Sequence, residues 1–416
     1  MLAMLAFTAC SSNNDEAVNA PQFWHVTLTA SMGDETTRTL AENGNAIIAS
    51  FEVNDELVVV DADGINIVGT LKALSAGAST TLSGTLNATS LTVGEEVKVR
   101  YRSATANYDN QVGTLPGIAA NQDYAEGTLT VSTTSPLEFT TTNVTLSAKQ
   151  SITKFSFTCG GNDVSVKTFG IAATGLVQSI AKNAAETVGA VTGTLGTASS
   201  NVYVALRNNS GTKQTYSFMV KDNAGNWYRG TKSANLANGK NYTASVTLTK
   251  LDALSSGSAV GTVGVVGGLP AIVVEINSVK KAVALMNVGA LCPEAYGTYY
   301  TFDNRASGLS NDWKVPSKDE LDALAGISST WGAQNGVNGC KFTIGGNMLF
   351  LPAAGYYNNG FISVSSEGYY WSSTSYDEDE SYALNIDGYP TFIIQSVGWY
   401  KVDALTVRPF HALTTP

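Results

Sequence analysis

The chain has 416 residues, of which 44% are hydrophobic and only 14% are charged, and its 24 basic and 34 acidic residues give a formal net charge of −10. One hydrophobic core cannot serve a chain of this length, so two or three domains are expected. The acidic balance, with no local Lys/Arg cluster, excludes nucleic acid as a partner, because a phosphate backbone requires a positive surface. The low charge, together with abundant Thr, Ser, Gly and Asn, favours β-strands and turns.

The first ten residues are uncharged and apolar and end at Cys10. A short apolar run, small residues and then a cysteine form the pattern of a bacterial lipoprotein signal, so we predict that Cys10 is lipidated and anchors the chain to the outer membrane. The polar residues 11–22 would form the tether. Because the run lacks a basic start, the true start codon could lie upstream; a frayed, unprocessed N-terminus is the alternative.

Residues 23–150 are predicted to form an N-terminal β-sandwich, because short alternating runs are separated by turn signals about every ten residues. Residues 151–250 repeat the pattern and predict a second sandwich. The Ser- and Gly-rich residues 251–270 predict an interdomain linker. The predicted strands are residues 23–29, 57–60, 96–101, 128–131, 144–146, 152–157, 201–206, 215–220 and 243–248.

Residues 271–416 differ in composition and predict an α+β domain with irregular loops. The clearest helix signal of the chain lies at 316–326, where Ser317 is a natural N-cap, Glu320 can complete a capping box and Gly326 can end the helix. In the same domain Cys292 and Cys340 could form a disulfide, which an exported protein permits, with Cys159 left as a free thiol. The alternative is that all three are free thiols, since buried free cysteine is common.

The two N-terminal domains resemble the fimbrillin-type pilins and related surface lipoproteins of Bacteroidetes. The resemblance rests on residues 36–39 with Arg38, residues 51–57 with Asp55, Trp227-Tyr228, and residues 238–242 leading into the strand that ends at Leu248. It implies tandem β-sandwiches of the fimbrillin or transthyretin-like type, whose subunits join by strand exchange. It also implies Arg38 as a protease cleavage site, which would release the N-terminal strand; the alternative is a turn residue that is never cut.

Residues 271–410 resemble the Fibrobacter succinogenes major paralogous domain, which is similar to C-type-lectin-like folds. Five motifs occur in order: residues 286–290, 313–321, 350–356, 370–374 and 407–409. The resemblance implies a fold more than an activity. We expect Trp313, Pro316, Phe350, Leu351 and Trp371 to be core residues, and Arg408 to pair with an internal acid or with backbone carbonyls.

Two surface features of this domain are candidate sites. Aromatic faces and amide groups suit glycan or protein ligands, and the candidate residues are Trp331, Tyr356, Tyr357, Asn358, Asn359 and Tyr369; the alternative is that they anchor loops. The acidic residues 377–380 include weak Ca²⁺ candidates, Asp377 and Asp379; the favoured alternative is a solvated loop, because charge runs usually stay hydrated. No other cofactor or metal is expected.

No enzyme motif is present in the sequence, so we expect a binding protein and not an enzyme. The combined patterns predict a lipid-anchored surface adhesin, at the tip of a fimbrillin-type pilus or accessory to it, that presents its C-terminal domain. Its expected partners are other pilus subunits and a host or bacterial surface glycan or protein. The alternative is a stand-alone surface glycan-binding lipoprotein that does not polymerise.

Overall fold

The computed structural model describes residues 22–33, 41–43, 46–48, 50–101, 103–310, 312–388 and 393–413. Strands dominate, so the predicted mainly β fold class is confirmed. Among the described residues no helix is long and apolar enough to cross a membrane. The strands form three units: the first contains residues 23–101 and 125–148, the second contains residues 106–124 and 151–250, and the third contains residues 251–413.

The strands of the first unit form a sheet that closes on itself through strand pairing. Its sheet has the order β10-β9-β11-β1-β6-β5-β4-β7, and an additional β7–β9 pairing completes the circuit. The elements in this part of the chain are β1 (Phe23–Met32), β2 (Ala41–Asn43), β3 (Ala46–Ile48), β4 (Glu56–Val60), β5 (Ile67–Ala73), β6 (Ser79–Asn87), β7 (Glu96–Tyr101), β8 (Ala106–Asn107), α1 (Leu115–Asn121), β9 (Ala125–Thr134), β10 (Leu137–Phe139) and β11 (Asn143–Ala148).

Strand β1 lies inside this sheet, antiparallel to β6 and parallel to β11. Its sequence alternates, and Val26, Leu28 and Ala30 are the residues whose side chains enter the core. Such alternation is what a strand with one buried face requires.

The second unit contains a longer sheet, with the path β16-β15-β18-β12-β21-β20-β19-β14-β17. Its strands are β12 (Ser151–Cys159), β13 (Asn162–Asp163), β14 (Val166–Ala172), β15 (Leu176–Ile180), β16 (Glu186–Val188), β17 (Val191–Ser199), β18 (Asn201–Asn208), β19 (Gln214–Asp222), β20 (Trp227–Ala234) and β21 (Asn241–Lys250).

The boundary between the first two units differs from the predicted division at residue 150. Strand β8 pairs with β15, and Tyr108, Leu115 and Ile118 are buried in the core of the second unit. Gln111 holds this segment in the second unit, because its side-chain amide donates to the Ala205 carbonyl at 2.7 Å and accepts from the Ala205 N–H at 2.9 Å. Residues 106–124 therefore complete the second core before the chain returns to the first unit at β9.

The third unit combines four small sheets with a short helix. They are β22-β23-β24-β33, β25-β26-β27, β28-β29 and β30-β31-β32. The elements are β22 (Val263–Val266), β23 (Leu269–Ile276), β24 (Val279–Ala284), α2 (Lys318–Ala325), β25 (Ser329–Trp331), β26 (Gly339–Ile344), β27 (Asn347–Pro352), β28 (Tyr356–Tyr357), β29 (Phe361–Ile362), β30 (Glu367–Ser375), β31 (Glu380–Asp387), β32 (Ile393–Tyr400) and β33 (Phe410–Ala412), with a single 3₁₀ turn at Phe302–Asn304.

The predicted helix and core of this unit are confirmed. Helix α2 begins after Ser317, and the capping box with Glu320 is complete in both directions at 2.7 and 3.2 Å. The five expected core residues are buried: Trp313, Pro316, Phe350, Leu351 and Trp371. Arg408 is fully buried, and its guanidinium donates to the carbonyls of Ala284 and Phe350 at 3.0 Å each.

Residues 251–270 differ from the predicted linker. Strands β22 and β23 form a hairpin whose turn residues, Gly267 and Gly268, have φ of 52° and 78°. A two-residue hairpin turn of this type needs positive φ at both positions, which explains the glycines that had suggested flexibility. The indole of Trp227 donates to the Gly268 carbonyl at 2.9 Å, and that of Trp313 donates to the Gly267 carbonyl at 3.2 Å.

The second and third units share one apolar cluster. Ala172, Met219 and Trp227 of the second unit belong to the same buried cluster as the strands around α2. Shared burial of this kind opposes independent movement of two units, because separating them would expose the apolar surface to water.

Candidate functional site

The predicted ligand-binding residues of the third unit centre on the β28–β29 hairpin. Its turn contains Asn359 at φ 52°, a conformation that asparagine tolerates better than most residues. The backbone of Tyr357 exchanges two hydrogen bonds with Ala404, at 2.9 and 3.0 Å. The hairpin is therefore fixed to the chain that follows β32.

A groove of about 500 Å³ opens beside this hairpin. We call it the aromatic groove; it is lined by Tyr299, Tyr300, Thr301, Asn304, Tyr357, Asn358, Asn359, Val402 and Ala404. Its volume lies within the range of about 300–1,000 Å³ that is common for small-ligand sites.

Aromatic rings form one side of the groove. Phe361 stands 5.2 Å from Tyr299 and 5.3 Å from Tyr357 between ring centroids. Tyr357 is 44% exposed and Phe361 is 66% exposed, so ring surface is available to a ligand. Burial raises the pKa of Tyr299, whose hydroxyl donates to the Ala354 carbonyl. The asparagines add amide donors and acceptors, and this combination suits a ligand with apolar faces and hydroxyl groups.

The structure places only three of the six predicted residues at the groove, namely Tyr357, Asn358 and Asn359. Tyr356 turns to the other side of its strand and packs against Trp399, with centroids 4.9 Å apart. Tyr369 is buried in the same aromatic cluster. Strand alternation is the physical reason, because neighbouring residues face opposite sides.

Trp331 lies elsewhere, on β25, where it packs against the cluster shared by the second and third units. A side chain at Gly388 would clash with its indole, so the two chain segments approach closely there. Trp331 is therefore not part of the aromatic groove.

The sequence analysis missed several groove residues, chiefly Tyr299, Tyr300 and Val402. Val402 is 82% exposed and lines the groove together with the exposed Tyr357, and neighbouring exposed apolar side chains are a common sign of a contact surface. The adjacent pair Tyr299-Tyr300 was the available signal. Nothing local indicated that this pair would meet residues about 60 and 100 positions later in the chain.

The acidic run folds as a tight hairpin end between β30 and β31. A carboxylate oxygen of Asp377 accepts from the backbone amides of Asp379 and Glu380, at 2.9 and 2.7 Å. The ammonium of Lys401 donates to the carbonyls of Asp377 and Glu378. Lys401 thus occupies two backbone carbonyl oxygens of this turn, and one carboxylate oxygen of Asp377 is taken by backbone amides. Among the described residues no group of three or more His, Cys, Asp or Glu is arranged to hold a metal ion.

Of the two alternatives for the cysteines, the structure has the free thiols: Cys292, Cys340 and Cys159 are all unbridged. Cys292 packs against Gly170 of the second unit, where even a Cβ would lie 2.7 Å from the cysteine Cβ. Cys340 lies on β26, opposite Leu351 of β27. Burial raises the pKa of Cys292 well above its ordinary value and raises that of Cys340 to about 12, so both thiols stay protonated.

Two predicted sites, the lipidated Cys10 and the cleavage site Arg38, lie outside the described residues. The strand that a cut at Arg38 would release is described, and it is the centrally placed β1.

No family model and no curated protein matches the sequence. The solved structures similar to it include a candidate cell adhesion protein from Bacteroides ovatus, with 13% identity over 56% of this chain and 97% of that one and a TM-score of 0.32. A fimbrial assembly protein from Parabacteroides distasonis has 12% identity over 54% of this chain and 91% of that one, with a TM-score of 0.27. A shaft pilin from Lactobacillus rhamnosus has 10% identity over 56% of this chain and 100% of that one, with a TM-score of 0.25. Scores of this size do not establish a common fold.

Proposed function

We propose that the chain is a lipid-anchored adhesin of the bacterial surface, acting as a tip or accessory subunit of a fimbrillin-type pilus. The third unit would bind a surface glycan or protein through the aromatic groove, and the first unit would join other subunits by strand exchange. The role is one of binding and assembly, without catalysis.

The observation that carries the binding role is the aromatic groove itself. It combines the exposed ring of Tyr357, against which the exposed Phe361 packs, with asparagine amides, and its backbone is fixed by the hydrogen bonds to Ala404. A preformed surface of this kind loses little conformational entropy when a ligand binds. The apolar cluster shared by the second and third units would transmit a pulling force from one to the other.

The position of β1 supports assembly by strand exchange. It pairs with β6 at nine positions, from Phe23 to Ser31, and with β11 at four positions. Removing it after a cut at Arg38 would leave two strand edges and an apolar slot lined by the former neighbours of Val26 and Leu28. A partner strand with alternating apolar residues would restore both the ladder and the burial.

The same strand also favours the alternative, a stand-alone glycan-binding surface lipoprotein. With β1 in place the sheet of the first unit is already a closed circuit, so the folded chain needs no partner strand. The two roles therefore differ in whether β1 is retained.

The intact mass and N-terminal residue of the mature protein from cells distinguish these roles. A mature start at Thr39 is expected for the pilus subunit, and an acylated Cys10 with β1 retained supports the stand-alone protein. Immunogold labelling of purified fibres then tests the position of the subunit. Label at fibre ends is expected, and label at regular intervals along the shaft would exclude the tip role.

The groove is tested by Tyr357→Ala in adherence assays and on glycan arrays with the whole protein. Loss of one exposed stacking ring should weaken binding by roughly five- to tenfold, because an aromatic contact contributes about 1–1.5 kcal/mol. Tyr376→Ala is the matched control, since Tyr376 is 56% exposed but lies on the β30–β31 hairpin outside the groove. Equal effects of the two variants, or cleavage of the bound glycan, would contradict the proposal.

A further inference from the structure

A larger cavity lies between the second and third units, away from the aromatic groove. We call it the inter-unit cleft; its volume is about 790 Å³. One wall is the outer face of β19, β20 and β21, with Ser217, Arg229 and Thr247. The other wall belongs to the third unit, with Glu294 and the loop before β26. The cleft is therefore formed by two units that the shared apolar cluster holds together.

Glu294 is the most unusual group in the cleft, because it is a carboxylic acid that is only 4% exposed. One carboxylate oxygen, Oε1, accepts from the amides of Gln334 and Asn335 at 2.8 and 2.7 Å. The Asn335 amide also contacts the Ser217 hydroxyl at 3.3 Å across the cleft. Burial raises the pKa of Glu294, although the two amide hydrogen bonds oppose that shift. Within the described residues, Glu294 makes no ion pair.

Arg229 lies on the opposite wall, on β20, where its backbone is opposite Met219. It is exposed, and it too forms no ion pair in the part of the chain that the structure describes. One cleft thus presents a carboxylate on one wall and a guanidinium on the other, and neither is ion-paired among the described residues. Apolar side chains, among them Met219 and Met348, line the space between the walls.

We propose that the inter-unit cleft binds a short peptide with free termini, whose ammonium group meets Glu294 and whose carboxylate meets Arg229. Glu294 is already almost without water, and a neutral ligand in the cleft would also take water from the exposed Arg229 while compensating neither charge, which is unfavourable. A ligand with both charges forms two charge-assisted contacts, and a guanidinium group can bind a carboxylate through two parallel hydrogen bonds. The Ser and Thr hydroxyls of the second unit can satisfy the peptide groups, and the methionines can contact small side chains.

The test is calorimetric titration of the whole protein with di-, tri- and tetraalanine. The three lengths sample different separations of the terminal charges, at roughly 3.5 Å per residue. One length is expected to bind best, and its N-acetylated and C-amidated forms should each bind roughly tenfold more weakly or worse, because each removes a charged contact. Binding of no length, or equal binding of the blocked and free peptides, would overturn the proposal.

Two variants assign the two ends of the peptide. Glu294→Gln should weaken binding of the free peptide and leave binding of the N-acetylated peptide unchanged. Arg229→Gln should also weaken binding of the free peptide, but it should leave binding of the C-amidated peptide unchanged. The control is Lys232→Gln, three residues further along β20 and outside the cleft lining. If each variant lost the same affinity for the free, N-acetylated and C-amidated peptides, the assignment of the two ends would be contradicted. The cleft does not depend on the proposed adhesive function, and Tyr357→Ala should leave peptide binding intact, so the two can fail separately.

Discussion

Trp227→Phe tests whether the second and third units unfold together. Trp227 is 2% exposed, belongs to the shared cluster and donates its indole N–H to Gly268 at 2.9 Å. Phenylalanine keeps an aromatic ring but loses roughly 40 Å² of buried apolar surface, which is about 1 kcal/mol. The lost hydrogen bond adds about 1 kcal/mol, at the low end of the range because Gly268 is exposed and water can replace the indole. The free energy of unfolding should fall by about 2 kcal/mol.

The assay is urea unfolding of the whole protein followed by far-UV circular dichroism, which does not depend on the removed indole. The transition of the second and third units should shift as one step to lower urea, and that of the first unit should stay in place. Trp24→Phe is the control, because the buried indole nitrogen of Trp24 has no hydrogen-bond partner and the residue packs in the first unit. A Trp227→Phe shift no larger than the control, or a shift of the third unit alone, would refute the reasoning.

Three further predictions concern polar groups that are buried or half-buried. Gln111→Leu should destabilise the second unit by about 2–4 kcal/mol in urea unfolding, because it leaves the N–H and carbonyl of Ala205 without partners; an unchanged midpoint would contradict this. Glu320→Gln should lower the free energy of unfolding by about 1 kcal/mol at pH 7. Burial raises the pKa of Glu320, but the hydrogen bonds from Lys281 and the N-cap outweigh it and the net pKa is lowered, so the cost should vanish as acid protonates the carboxyl. Burial raises the pKa of Glu294, so ionisation of this carboxyl destabilises the fold as the pH rises. Glu294→Gln should therefore raise the melting temperature at pH 8 and leave it nearly unchanged at pH 4. Equal shifts at both pH values would exclude ionisation of Glu294 as the cause.

The parts of the fold that depend on local pattern were predictable. Alternation in residues 23–29 predicts β1, and Ser317 with Glu320 predicts the start of α2; both are present. These signals involve neighbours along the chain, where backbone geometry fixes which side chains meet.

The candidate site was predictable only in part. Tyr356 and Tyr357 are equally aromatic, yet one packs inside and the other lines the aromatic groove. The sequence does not show which of the two side chains faces the interior, because the buried face of a strand depends on what packs against it. Tyr299 and Val402 reach the groove through long-range contacts, which single-sequence patterns do not contain.

The sequence by itself determined the mainly β class, the strand alternation and the capped helix, since each follows from backbone preferences and the period of apolar residues. The tertiary structure alone decided that residues 106–124 join the second core, that residues 251–270 form a docked hairpin, and that Glu294 faces Arg229's wall across one cleft. The physical reason is the range of the interactions. Local propensities act over a few residues, whereas the burial that selects among compact arrangements joins residues far apart in the chain.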